Sequence, residues 1–96
     1  MKPETKFKMH VIGRLRTETD AWFFKVQQVA LGGIPDIIGC WNGKFFAWEL
    51  KSKCGKPSKL QLYILEKIKD AGGHTAVVYP ENFEEELQCL IKFCSS

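Results

Sequence analysis

Asp36, Glu49 and Lys51 place two carboxylates and an ammonium within one stretch of chain whose local folding the sequence dictates. Between Asp36 and Glu49 run Ile37-Ile38-Gly39-Cys40-Trp41, then Asn42-Gly43, then Lys44-Phe45-Phe46-Ala47-Trp48. Asn-Gly between β-branched and aromatic residues predicts a β-hairpin with a two-residue type I′ turn. That turn pairs Trp41 with Lys44 and Cys40 with Phe45, and the count runs outward until Asp36 faces Glu49. Directly opposed Cβ atoms lie roughly 4.5–5.5 Å apart, and like charges there repel. Lys51, two residues beyond Glu49, points to the same face. Two opposed acids call for a compensating cation, and a hard divalent ion takes oxygen ligands of this kind while keeping several waters. A backbone carbonyl at Leu50 would be a third ligand. Such an ion would acidify a bound water and neutralise a phosphate oxygen, and Lys51 would hold the water or stabilise the pentacovalent phosphorane. The chemistry indicated is hydrolysis of a nucleic-acid phosphodiester.

Each fragment also has a plainer reading. Glu and Lys two apart can form a surface ion pair, and Pro-Asp is a common turn dipeptide. The register joins them, because a buried acid pair without a cation is unfavourable. Lys51, Lys53, Lys56 and Lys59 fall in nine residues with no acid among them. Alone such a run reads as a solvated loop; beginning at the acid pair, it reads as a loop that contacts phosphates.

Ninety-six residues predict one domain spanning 1–96, which gains from dimerising. The 45% hydrophobic content supplies a core, and with 26% charged residues argues against disorder. A net charge of +3 permits a polyanion partner without demanding one. Cys40, Cys54, Cys89 and Cys94 have no C-x-x-C spacing and no histidine pair nearby, which excludes a recognisable zinc motif. Cys40 and Cys94 read as reduced core thiols. His10 and His74 read as structural. No apolar run is long enough to span a membrane, and without a signal peptide the expected compartment is the cytoplasm.

The elements that must position the acids follow from periodicity. Phe7, Val11, Ile12 and Leu15 predict an amphipathic helix over 3–18. Residues 21–26 read as a buried strand and 27–35, with Gly32-Gly33, as a loop. The hairpin over 36–51 is apolar on both faces, with Phe46, Trp48 and Leu50 on one side and Ile38, Cys40, Phe45 and Ala47 on the other. It therefore needs helices on both sides. A helix over 58–71 carries Leu60, Ile64, Ile68 and Ala71 on one stripe and ends at Gly72-Gly73. Residues 75–79 form a strand parallel to the one ending near Lys51, joined by a right-handed crossover. Asn82 with Glu85 suits the start of a last helix that buries Phe83, Leu87, Leu90, Ile91 and Cys94. The expected class is α/β, a mixed sheet flanked by helices in the order α-β-β-β-α-β-α.

Gly33-Ile34-Pro35-Asp36, the hairpin, Glu49-Leu50-Lys51 and Gln61 in the next helix together resemble the PD-(D/E)XK, restriction-endonuclease-like superfamily. More narrowly they resemble its virus-type replication-repair nuclease (VRR-NUC) domain. The likeness extends through Trp41-Asn42-Gly43-Lys44-Phe45-Phe46, Gly55-Lys56-Pro57-Ser58 and Ala71-Gly72-Gly73, and so covers nearly the whole chain. It implies a Mg²⁺- or Mn²⁺-dependent endodeoxyribonuclease of the stand-alone viral or bacterial type, a homodimer acting on branched DNA such as four-way (Holliday) junctions. The setting implied is a bacterial or phage-infected cell, with no small-molecule cofactor. Carried over, Asp36 and Glu49 would be metal ligands, Lys51 the catalytic lysine and Gln61 an assisting glutamine. Glu4 matches the acid of the family's first helix, with Glu18 as fallback, and Lys25 stands where the family has a lysine near DNA, joining Lys53, Lys56 and Lys59. Gln27-Gln28 departs from the family's His-Gly-Gly-like stretch. Two readings of Gln61 stay open, since Ser58-Lys59-Leu60-Gln61 is also a helix capping box. A flap-, nick- or RNA-directed nuclease, and a non-cutting nucleic-acid-binding module, are the alternatives in function.

Overall fold

The computed structural model describes residues 1–27 and 32–95. Helix α1 (Pro3–Glu18) starts with proline in its first turn, where no backbone donor is needed, and ends at Thr19, whose N–H and hydroxyl both donate to the Leu15 carbonyl. Strands β1 (Trp22–Lys25), β2 (Ile37–Trp41) and β3 (Lys44–Leu50) follow as an antiparallel meander. Helix α2 (Lys59–Asp70) then crosses over to β4 (His74–Val78), which lies parallel to β3, and helix α3 (Phe83–Ser95) closes the chain. The sheet order is β1-β2-β3-β4. The expected α-β-β-β-α-β-α order and mixed sheet are what the structure has.

The hairpin turn forms as its residues require. Asn42 and Gly43 both have positive φ, 53° and 78°, the signature of a type I′ turn. Asn42 Nδ2 also donates to the Cys94 carbonyl at 3.0 Å, tying the turn to α3. The pairs Trp41↔Lys44 through Ile37↔Trp48 follow without a bulge, so Asp36 and Glu49 are each the next residue outward. Midway, Gly39 faces Phe46. A Cβ on Gly39 would stand 2.5 Å from the Trp22 carbonyl oxygen and 2.8 Å from Phe46 Cζ, so the aromatic ring occupies the space that glycine leaves.

One sheet face carries the core. Ile37, Phe46, Trp48, Leu50 and Val78 pack there against Val11 and Leu15 of α1 and Phe83, Leu87, Leu90 and Cys94 of α3, all buried. On the other face, among the described residues, α2 packs over β3 and β4. Three expectations are corrected. Strand β1 is an edge strand and mostly exposed, not buried. Cys40 is exposed rather than a core thiol, whereas Cys94 is buried as expected. Leu65 is the buried residue of α2, while of the expected stripe Ile64 and Ile68 are half-buried, Leu60 stays 48% exposed and Ala71 is exposed. Asn82 stands at the start of α3 as expected, its carbonyl accepting the Glu86 N–H at 2.9 Å, and its side chain has a further task. Its Oδ1 accepts from the Tyr79 N–H and its Nδ2 donates to the Val77 carbonyl, so the side chain fixes the turn after β4.

Arg14 of α1 forms a two-pronged ion pair with Glu84 of α3, at 2.6 and 3.0 Å, and also contacts Glu18. The paired acids hold its guanidinium above its ordinary pKa. This clasp fixes the two helices on the core face. No helix of the described residues is long and apolar enough to cross a membrane.

Candidate active site

The sheet end where β2 begins and β3 finishes opens into a cleft of about 330 Å³. Its walls include Glu4 and Lys8 from α1, Asp36, Glu49 with Leu50 and Lys51, Lys56 from the loop after β3, and Gln61 from α2. Four separate segments thus converge on one small polar space, as the register argument expects for Asp36, Glu49 and Lys51.

Glu49 is at the centre and is 3% exposed, the buried charged residue of the core. Its Oε2 accepts from Gln61 Nε2 at 2.7 Å and lies 3.3 Å from Lys51 Nζ. Its Oε1 is buried and finds no hydrogen-bond partner among the described residues. Burial pushes the Glu49 carboxyl above the usual range; the charge of Asp36 adds to the rise, while Lys51 and then Lys8 oppose it. An acid left half-satisfied in this way is a poor structural element. Its chemistry is that of an oxygen ligand for a hard cation.

Asp36 is held differently. Its Oδ2 accepts from the Leu50 N–H at 2.8 Å and its Oδ1 lies 3.5 Å from Lys8 Nζ. The backbone bond aims the carboxylate across the hairpin mouth instead of into solvent. Lys8 is the residue the sequence reading missed as a site member. The available signal was its position four residues after Glu4 on the predicted helix, which puts the two on one face.

Gln61 caps its helix and also contacts Glu49. Its Oε1 accepts from the Ser58 N–H at 2.8 Å and its own N–H donates to Ser58 Oγ at 3.1 Å, a complete capping box. The amide nitrogen left over is the one that reaches Glu49. Glu4 lines the cleft from the first turn of α1, whereas Glu18, at the far end of that helix, is occupied with Arg14. Lys56 lines the cleft and Lys53 and Lys59 are exposed beside it. Lys25 is exposed on β1 opposite Ile37, on the sheet face away from Ile38. Of Gln27-Gln28, Gln28 lies outside the described residues.

The donor set suits a hard divalent cation: two carboxylates from neighbouring strands, one with an unsatisfied buried oxygen, and a backbone carbonyl at Leu50 in reach of the same cleft. Among the described residues no three His, Cys, Asp or Glu side chains are gathered tightly enough to hold an ion by themselves. An ion held there would keep part of its water shell, as Mg²⁺ does.

The architecture is a mixed four-stranded sheet flanked by helices, with the two acids at the mouth of its central hairpin. A solved VRR_NUC domain superposes on it with a TM-score of 0.75 at 18% identity, over 92% of this chain and 97% of that one. The chain has the fold of a VRR_NUC domain. No protein-family model matches the sequence, and no curated protein matches it either.

Proposed function

We propose that this chain is a metal-dependent endonuclease that hydrolyses DNA phosphodiester bonds, acting on branched DNA such as four-way junctions as a homodimer. The observation that carries the proposal is Glu49: buried, raised in pKa, held on one oxygen by Gln61 and Lys51, and unsatisfied on the other. Asp36, Glu49 and the Leu50 carbonyl would hold Mg²⁺ or Mn²⁺, which when bound supplies an acidified water and a counter-charge for the phosphate. Gln61 holds one oxygen of the Glu49 carboxylate and leaves the other without a partner among the described residues. Lys51, 3.3 Å from that carboxylate, supplies positive charge where negative charge builds on the phosphorane. Lys53, Lys56 and Lys59 contact flanking phosphates, whereas Lys25, on the opposite sheet face from the acids, does not serve the cleft. Two copies related by a two-fold axis would offer two identical clefts, as a substrate needing paired cuts requires.

Incubation with labelled four-way junction, flap, nicked duplex, linear duplex and RNA, in Mg²⁺ or Mn²⁺, tests this reading. The expected result is metal-dependent cutting, strongest on the junction, that Asp36→Ala abolishes. Equal products from wild type and Asp36→Ala would defeat it and leave a binding module without chemistry. Preference for flap, nick or RNA would redirect the substrate while keeping the chemistry.

A further inference from the structure

The cleft accounts for one end of a sheet face that carries exposed aromatic rings further along. Counting in register, Asp36 and Glu49 are followed by a row of Phe24, Ile38 and Ala47, and then by a row of Trp22, Cys40 and Phe45. Helix α2 covers the β3 side of these rows. Toward β1 the rings are exposed: Trp22 is 65% exposed and Phe24 44%, and Phe45 at the start of β3 is 42% exposed. Trp22 and Phe24 touch edge to face, with centroids 5.5 Å apart and rings inclined at 62°, which holds both in place.

We propose that Trp22 and Phe24 form a stacking platform for unpaired bases of a DNA strand whose backbone enters the cleft. The proposal rests on the nuclease reading for its substrate and adds a determinant of which DNA is held. Three observations select this occupant. Successive rows are about 7 Å apart along a strand, close to the spacing of nucleotides in an extended single strand, so Phe24 and Trp22 stand about one and two nucleotides from the acids. The rings and the cleft lie on the same face of the sheet, one and two rows apart in register. The cleft is lined by Lys8, Lys51 and Lys56, positive charge for the phosphates of the strand whose bases reach the rings. Exposed aromatics beside a basic track are how sheets hold single-stranded nucleic acid without reading its sequence. Paired bases keep their faces inside the duplex, so the platform discriminates for splayed or single-stranded positions.

Fluorescence anisotropy in EDTA, where cutting is absent, isolates binding from chemistry. The probes are a four-way junction, a duplex with a single-stranded arm, and a blunt duplex, each with wild type, Trp22→Ala, Phe24→Ala and Trp22→Phe. Loss of one ring should weaken binding to the armed duplex by roughly 5- to 100-fold, leave the blunt duplex within about twofold, and be largely rescued by Trp22→Phe. Equal weakening on armed and blunt duplex, or none on either, overturns the platform. So does a fall in molar mass of Trp22→Ala by light scattering, which would assign the face to a second copy of the chain. If these binding differences appear and no metal produces cutting, the platform stands and the nuclease reading fails.

Discussion

Gln61 Nε2 donates to Glu49 Oε2 across 2.7 Å, while the Oε1 of the same side chain accepts the Ser58 N–H that opens α2. One amide therefore links the start of a helix to the most buried acid of the sheet. Because its oxygen is engaged by the cap, the amide cannot flip, and its nitrogen must face Glu49. A helix cap sets the orientation of a site carboxylate.

Substitutions that separate these two tasks should have opposite effects. Ser58→Ala removes the cap and should lower stability by about 1 kcal/mol, with only a modest loss of cutting. Gln61→Glu keeps an oxygen for the Ser58 N–H but sets a carboxylate against Glu49, and should reduce cutting about 100-fold or more with α2 intact. Circular dichroism melts and junction cleavage, measured on both variants, check the pairing.

Glu49→Gln should abolish cutting and stabilise the metal-free protein at neutral pH by about 1–3 kcal/mol, because it removes a half-satisfied buried charge. Addition of Mn²⁺ should raise the melting temperature of wild type and leave that of Glu49→Gln unchanged. The pH dependence has a definite sign. Glu49 has its carboxyl raised in the fold, so its contribution is fully present below the ordinary carboxylate value and is lost as pH rises through the raised one. His74 acts oppositely: burial lowers its pKa, so stability from it is present above the ordinary histidine value and lost as pH falls through the lowered one. The wild-type-minus-Glu49→Gln difference in urea unfolding free energy, measured in EDTA, isolates the first. It should become less negative from pH 7 towards pH 4; a flat difference would contradict the burial of an ionised Glu49.

Lys8 competes with any cation for Asp36. Lys8→Met should therefore tighten Mn²⁺ binding severalfold, a modest gain for a partly exposed pair. It should also weaken DNA binding and reduce its salt dependence if the ammonium contacts phosphate. Isothermal titration with Mn²⁺ and anisotropy over a salt series separate the two effects.

The hairpin register should be sensitive at two glycines for different reasons. Gly43→Ala meets no neighbour but forces a positive φ, and should cost about 1 kcal/mol. Gly39→Ala drives a Cβ into the Trp22 carbonyl and the Phe46 ring and should cost about 3 kcal/mol or more. Urea unfolding of both variants tests the order.

The sequence by itself determined the hairpin and, through it, the acid pair. Asn42-Gly43 selects the turn, a two-residue period selects the face, and both rules act between neighbours in the chain. Helix and strand boundaries were legible for the same reason, to within a residue or two for most elements. The burial of β1 was not, because Trp22 and Phe24 look the same in a core and on an exposed edge; only the sheet order, which sets β1 at the edge, separates the two. Lys8 and the double engagement of Gln61 were likewise decided by tertiary structure. Each depends on how a helix is set against the sheet, and that setting arises from the packing of Val11, Leu15 and Leu65, not from any spacing along the chain. Local rules placed the two acids; three-dimensional packing supplied the groups that hold them.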